Sequence, residues 1–301
     1  SIAYSGSPYC TSITAPQAVE LTGTSGGTYS ATPDGLSLNT STGAVTPSAS
    51  TPGTYTVTYT VDGGGGCSAL TDDAPVTILQ TPAVTNDAGK TICSGENTDI
   101  TLAATMTSTF AWTLGTVSDN ILDAAAGSGP EISQNLNNIS YGSPGIVEYL
   151  VTPTSTENNC VGSPFTITVT VNPNPYLQIN HPAAVCFPAT VDLTAGAVTA
   201  GSSDDLTFTY WTDSDATNPL ATPSAVGVSG TYYIKGTNAL ACYSIGEVNV
   251  VVHALPAAPT GTDVSLAYDG ASHSASATAP AGAHVDWYTA ATGGSVTTAP
   301  T

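Results

Sequence analysis

Arginine is absent from this 301-residue sequence, lysine occurs only as Lys90 and Lys235, and methionine occurs once. Against twenty-two acidic residues the two lysines leave a formal net charge of −20. Nucleic acid is thereby excluded as a partner, because nothing is present to neutralise phosphates and release their counterions. An anionic membrane surface is disfavoured on the same ground. No run of 18 or more apolar residues occurs, so no membrane insertion is expected. A charged-then-apolar signal segment is also missing from the start, so Ser1 is expected to be a mature N-terminus or a cut within a longer protein. There is no CxxC or HxxxH spacing to suggest a structural zinc site. Helical periodicity is nearly missing as well.

What the sequence has instead is alternation. Thr54-Tyr55-Thr56-Val57-Thr58-Tyr59-Thr60-Val61, Phe165-Thr166-Ile167-Thr168-Val169-Thr170-Val171 and Val248-Asn249-Val250-Val251-Val252 are β-branched runs. A period of two, punctuated by Gly, Pro, Asn, Asp and Ser, reads as antiparallel strands joined by short turns. Threonine on the solvent face with Val, Ile or Tyr on the other suits a two-layer sandwich. The pattern repeats. Leu21, Leu102 and Leu193 sit in similar short strands, and Gly-led tyrosine strands start at Gly53, Gly145 and Gly230. Pro82, Pro173 with Pro175, and Pro256 follow the closing strands and mark short, stiff linkers. The expected domains are 1–80, 81–174, 175–256 and a partial 257–301, arranged end to end. Their expected core includes Tyr55, Trp112, Tyr149, Trp211, Tyr232 and Trp287.

The six cysteines fit this period as Cys10 with Cys67, Cys93 with Cys160, and Cys186 with Cys242, one staple per domain. Units of 80 to 90 residues are marginal on core packing alone, so each staple would supply a sizeable share of stability. An even cysteine count with no metal spacing points to an oxidising, extracellular compartment. The Cys…Trp…Cys order with Trp112 and Trp211 is immunoglobulin-like, although the cysteines lie toward the sandwich ends. The fourth segment repeats the Trp strand at Val285-Asp286-Trp287-Tyr288 and stops short of its later strands. It is expected to be either cut from a longer array or completed by a strand from another subunit.

These residues resemble the tandem Ig-like and PKD-like repeats of very large secreted cell-surface proteins of Bacteroidota. Ile92-Cys93-Ser94-Gly95, Phe110-Ala111-Trp112-Thr113, Gly127-Ser128-Gly129 and Val151-Thr152-Pro153-Thr154-Ser155 carry the PKD-like likeness. Ser37-Leu38-Asn39-Thr40-Ser41-Thr42-Gly43 and Ala290-Ala291-Thr292-Gly293-Gly294 are similar to related Ig-like modules. The fold expectation is all-β, tandem Ig-like (PKD-like) β-sandwich domains. The resemblance implies export, a place at the bacterial cell surface, and a role in adhesion, gliding or filament formation.

Chemistry is sparse. Gly23-Thr24-Ser25-Gly26-Gly27 formally matches GxSxG, but lies between β-patterned runs and has no nearby histidine, so a turn is expected. His181, His253, His273 and His284 are not at ligand spacing. Asp204, Asp205, Asp213 and Asp215 are the candidate calcium ligands, and solvated loop carboxylates are the simpler reading. No catalytic residue and no other cofactor is expected. The functional expectation is a disulfide-stapled rod, filament or surface stalk whose partners are copies of itself or further domains of one long chain. The alternative is a module that binds a surface glycan or ligand, supported by calcium.

Overall fold

The computed structural model describes residues 1–64, 68–257, 260–261, 271, 276–279, 281, 284–288 and 295–297. It is all-β among these residues apart from one 3-10 turn at Pro47–Ala49. Two compact units divide the chain: Ser1–Tyr176 with Thr237–Tyr243, and Leu177–Gly236 with Ser244–Thr301. The first unit holds two sandwiches.

The first sandwich contains β1 (Ile2–Ala3), β2 (Tyr9–Cys10), β3 (Glu20–Leu21), β4 (Thr28–Thr32), β5 (Gly53–Val61) and β6 (Leu70–Leu79). One sheet has the order β2-β6-β5-β4, and β1 pairs with β3. Alternation along β5 puts Tyr55, Val57 and Tyr59 inward and the threonines between them outward. They pack with Val76, Ile78, Tyr29 and Val45 into one apolar core. The Tyr29 and Tyr59 rings meet with centroids 4.6 Å apart.

The second sandwich contains β7 (Gly89–Cys93), β8 (Ile100–Thr101), β9 (Ser108–Val117), β10 (Ile121–Leu122), β11 (Gly127–Ser128), β12 (Glu131–Ile132), β13 (Asn137–Asn138), β14 (Gly145–Ser155) and β15 (Phe165–Asn172). Its main sheet runs β11-β9-β14-β15-β7, while β8 pairs with β12 and β10 with β13. Its core gathers Phe110, Trp112, Tyr149, Ile167 and Val169. Burial pushes the Tyr149 phenol up to about 12, and its hydroxyl donates to Gln134 Oε1 at 2.8 Å. Gly127 stands opposite Trp112, and a Cβ there would fall 2.6 Å from the indole, so only glycine lets the two strands close over that ring.

In the second unit, β16 (Val185–Cys186), β17 (Thr207–Trp211), β18 (Gly230–Thr237), β19 (Tyr243–Val250) and β20 (Val252–His253) build a smaller sandwich. Its main sheet has the order β17-β18-β19, and β16 pairs with β20. Val191, Leu193, Ile234, Val248 and Val250 are buried, with Phe208, Tyr210 and Tyr232 packed against them. Tyr55 and Tyr232, each two residues into its Gly-led strand, donate their hydroxyls four residues back, to the carbonyls of Thr51 (2.6 Å) and Val228 (3.0 Å). Further along, β21 (Thr260–Gly261) pairs with β22 (Ala277–Thr278), and β23 (Trp287–Tyr288) pairs with β24 (Val296–Thr297). Trp287 is half-buried.

Trp211 does not enter the core. Alternation along β17 sends Phe208 and Tyr210 inward, which leaves Trp211 on the face of Thr209, whose hydroxyl accepts its indole N–H at 2.9 Å. The expected equivalence of Trp112 and Trp211 is therefore off by one residue, and such a slip exchanges faces. Trp112→Ala is expected to lower its sandwich's stability by about 3–5 kcal/mol. Trp211→Ala should cost less than about 1.5 kcal/mol. Urea unfolding of the two variants, followed at the affected transition, separates these outcomes.

Candidate functional site

The residues of most consequence lie where one strand pair ends and the next hairpin turns. In each sandwich the short strand that carries the first cysteine runs beside the last one. Cys10 of β2 is in register with Leu79 of β6, Cys93 of β7 with Asn172 of β15, and Cys186 of β16 with His253 of β20, all in parallel pairing. The three sites share the same backbone hydrogen bonds. The amides of Thr11, Ser94 and Phe187 each donate to the carbonyl of the register partner, at 2.9 Å in every case. The amides of Ile13, Glu96 and Ala189 then donate back to the cysteine carbonyls at 3.0, 3.1 and 2.9 Å, closing a turn.

The disulfides differ from the expected staples. Cys10 is bonded to Cys160, and Cys93 to Cys242, with Cα–Cα distances of 5.7 and 5.5 Å and sequence separations of 150 and 149. Cys186 is exposed and carries a free thiol, and Cys67 lies outside the described residues. The geometry explains the correction. Cys93 sits at the Asn172 end of β15, whereas Cys160 precedes the Phe165 end. Eight residues of strand separate those ends by roughly 25 Å. A disulfide requires Cα atoms about 4.4–6.8 Å apart, so Cys93 and Cys160 are out of mutual reach. Cys186 likewise lies against His253, at the far end of the strand pair that begins at Tyr243.

A second tie accompanies each bond. Asn158, in the loop after β14, accepts the Cys160 amide through Oδ1 at 3.0 Å and donates Nδ2 to the Gln80 carbonyl at 3.0 Å. Asn238, in the loop after β18, accepts the Cys242 amide at 3.1 Å and donates to the Pro173 carbonyl at 3.1 Å. Gln80 and Pro173 are each the first residue after a sandwich's last strand. A loop cysteine and a loop asparagine thus grip the exit of the preceding strand pair together, and Gly162 packs so closely on Pro82 that a Cβ would lie 2.1 Å from its carbonyl oxygen. Sequence reasoning missed both asparagines. The signal available was an asparagine two or four residues before Cys160 and Cys242.

The candidate calcium residues do not form a cation site. Among the described residues no group of three or more His, Cys, Asp or Glu could hold a metal ion. Asp213 is already occupied: its carboxylate accepts the amides of Asp215, Thr217 and Asn218 and the Thr217 hydroxyl, at 2.7–3.2 Å. Asp204 and Asp205 are exposed in a turn, and Asp215 is exposed in the Asp213 loop. Gly23–Gly27 spans the connection between β3 and β4, as a turn would. His181 accepts the Asn249 amide, His284 pairs with Asp286, and His273 lies outside the described residues. A shallow cleft of about 320 Å³ beside Phe110 is lined by Ser108, Thr109, Ser128, Gly129 and Pro130 and carries no titratable group.

Residues 90–175 match the family described as PKD-like domain. Solved structures similar to the chain include Drosophila N-cadherin EC1-4, at 10% identity over 77% of this chain and 68% of that one (TM-score 0.27). They also include the extracellular domains 3–5 of Drosophila OTK, at 14% identity over 79% and 90% (TM-score 0.28). An I-band fragment of titin is similar at 11% identity over 79% and 91% (TM-score 0.30). No curated protein matches the chain. The fold is that of Ig-like and PKD-like β-sandwich repeats.

The Thr217 and Asn218 amides stabilise the Asp213 carboxylate and hold its carboxyl below the usual aspartate range. Because the folded value is depressed, the loop's stabilisation is present above the ordinary value near 3.9 and is lost as pH falls through the folded one. Carbon-detected NMR titration is expected to place the Asp213 midpoint below about 3.9. Millimolar calcium is expected to leave that midpoint unchanged; a calcium-dependent shift would restore the cation reading.

Proposed function

We propose that the chain is a non-enzymatic segment of an extracellular stalk or filament, in which successive sandwiches are locked to one another covalently. The observation that carries this reading is the pair of overlapping disulfides. The loop closed by Cys10–Cys160 contains Cys93, and the loop closed by Cys93–Cys242 contains Cys160. Disulfides persist in oxidising compartments, which supports a place outside the cytosol, and the resemblance of the repeats supports a bacterial cell surface. The bonds serve load-bearing in a direct way. They leave three covalent routes in parallel between the Cys10–Cys160 and Cys93–Cys242 nodes, so tension cannot unravel one sandwich while the others slip.

A glycan-recognition reading would draw on the exposed pair Tyr141 and Tyr176. Their rings meet edge to face at an interplanar angle of 66°, which offers no flat platform for a sugar ring. The stalk reading is therefore the better supported.

Single-molecule stretching of the chain tests it. With both bonds closed, the span from Cys10 to Cys242 is limited by its shortest route, about 67 residues from Cys93 to Cys160, or roughly 230 Å. With reductant present, the same span should extend to about 230 residues, or roughly 800 Å. Equal contour lengths with and without reductant would contradict the reading.

A further inference from the structure

Cys186 occupies the same position as the two cysteines that are cross-linked. Its strand pairs in parallel with the last strand, and the cysteine is in register with the final residue of that strand, His253, as Cys10 is with Leu79 and Cys93 with Asn172. The Phe187 amide donates to the His253 carbonyl and the Ala189 amide to the Cys186 carbonyl, at distances within about 0.2 Å of those at the two bonded sites. The carbonyl of Ala254 then follows His253 just as the asparagine acceptors Gln80 and Pro173 follow Leu79 and Asn172. Two of three identical sockets are filled by a hairpin-loop cysteine that comes with an asparagine. The third presents a bare, exposed thiol, with the exposed side chain of Phe187 (55%) next to it in sequence and that of Leu255 (58%) two residues past its register partner His253.

We propose that Cys186 is the docking point for one more sandwich of the same kind, joined to it by a disulfide from the loop of that sandwich's last hairpin. The incoming loop would cover Phe187 and Leu255. Bond formation removes two protons and two electrons from the two thiols. The electrons reduce the disulfide of a thiol–disulfide oxidant, such as oxidised glutathione or a dithiol oxidoreductase, to two thiols. The incoming cysteine is Cys67 of a second copy, since four of the other cysteines are bonded within each chain. Cys67 falls between β5 and β6 in sequence, as Cys160 falls between β14 and β15.

The test is a disulfide map of the protein isolated from its own source in the presence of iodoacetamide and digested with pepsin without reductant. The expected result is a Cys186 peptide joined to a peptide carrying a hairpin-loop cysteine. On non-reducing electrophoresis, covalent multimers released by reductant are expected, and a single-chain mass would overturn the inference. Cys186→Ser should remove this link and leave Cys10–Cys160 and Cys93–Cys242 in the map. Recovery of Cys186 as the alkylated thiol, joined to another Cys186, or joined to Cys67 of its own chain would overturn the inference. The inference rests on the stalk reading for its oxidising compartment, and the two fail separately. A free Cys186 beside the two intact bonds sinks the inference alone, whereas four alkylated thiols at residues 10, 93, 160 and 242 sink both.

Discussion

In a parallel strand pair both chains finish at the same end, whereas a hairpin turns at the end where its second strand begins. Each of the three sandwiches sets the short strand of its first cysteine parallel to its last strand. The first cysteine is thus carried to the end where the chain leaves for the next sandwich. The hairpin that precedes the last strand, and any cysteine in its loop, is held at the opposite end. From this one constraint follow the separation of Cys93 from Cys160 and of Cys186 from Cys242, the reach from one strand pair to the next hairpin, and the near-equal separations of 150 and 149 residues.

Energetics favour the same arrangement. Small β domains bury a limited fraction of their surface, and their stability is a small difference between large terms. Closing a loop of 150 residues contributes roughly 5 kcal/mol in the chain-entropy model, a little more than a loop of about 60 residues would. The gain from spanning two sandwiches is therefore less in stability than in connectivity. A bond between neighbours adds a covalent link to the one that the chain itself makes through its linker. The asparagine bonds to Gln80 and Pro173 accompany those links, each holding a loop against a carbonyl whose position the last strand sets.

Much of the fold is legible in the residues. Alternation in Thr54–Val61 and Phe165–Val171 places Tyr55, Val57, Ile167 and Val169 on the buried face because the strand period is two and does not depend on context. Trp211 shows where this reading stops. The Tyr210-Trp211 pair fixes that one ring faces in, but not which one, and only tertiary packing chooses Tyr210. The cysteine pairing failed for a different reason. Spacing within a repeat suggested partners, yet pairing depends on which ends of strands are adjacent, and local alternation does not encode parallel or antiparallel order. A subtler regularity was present. The separations across repeats, from Cys10 to Cys160 and from Cys93 to Cys242, differ by a single residue, while those within repeats differ by as much as eleven. The acidic loop was misleading because Asp213 serves its own backbone, a role that Asp-rich turns share with cation sites in sequence.

The scarcity of cations that opens the sequence also supplies the most direct test of the cross-sandwich bonds. Lysine-specific cleavage has two sites, Lys90 between Cys10 and Cys93, and Lys235 between Cys160 and Cys242. The protein would be alkylated, unfolded in urea and digested to completion without reductant. Cross-sandwich pairing predicts that 1–90, 91–235 and 236–301 remain covalently joined and separate into three peptides on reduction. Release of 1–90 as a free peptide before any reductant is added would show that Cys10 is not bonded to Cys160 and would contradict the account.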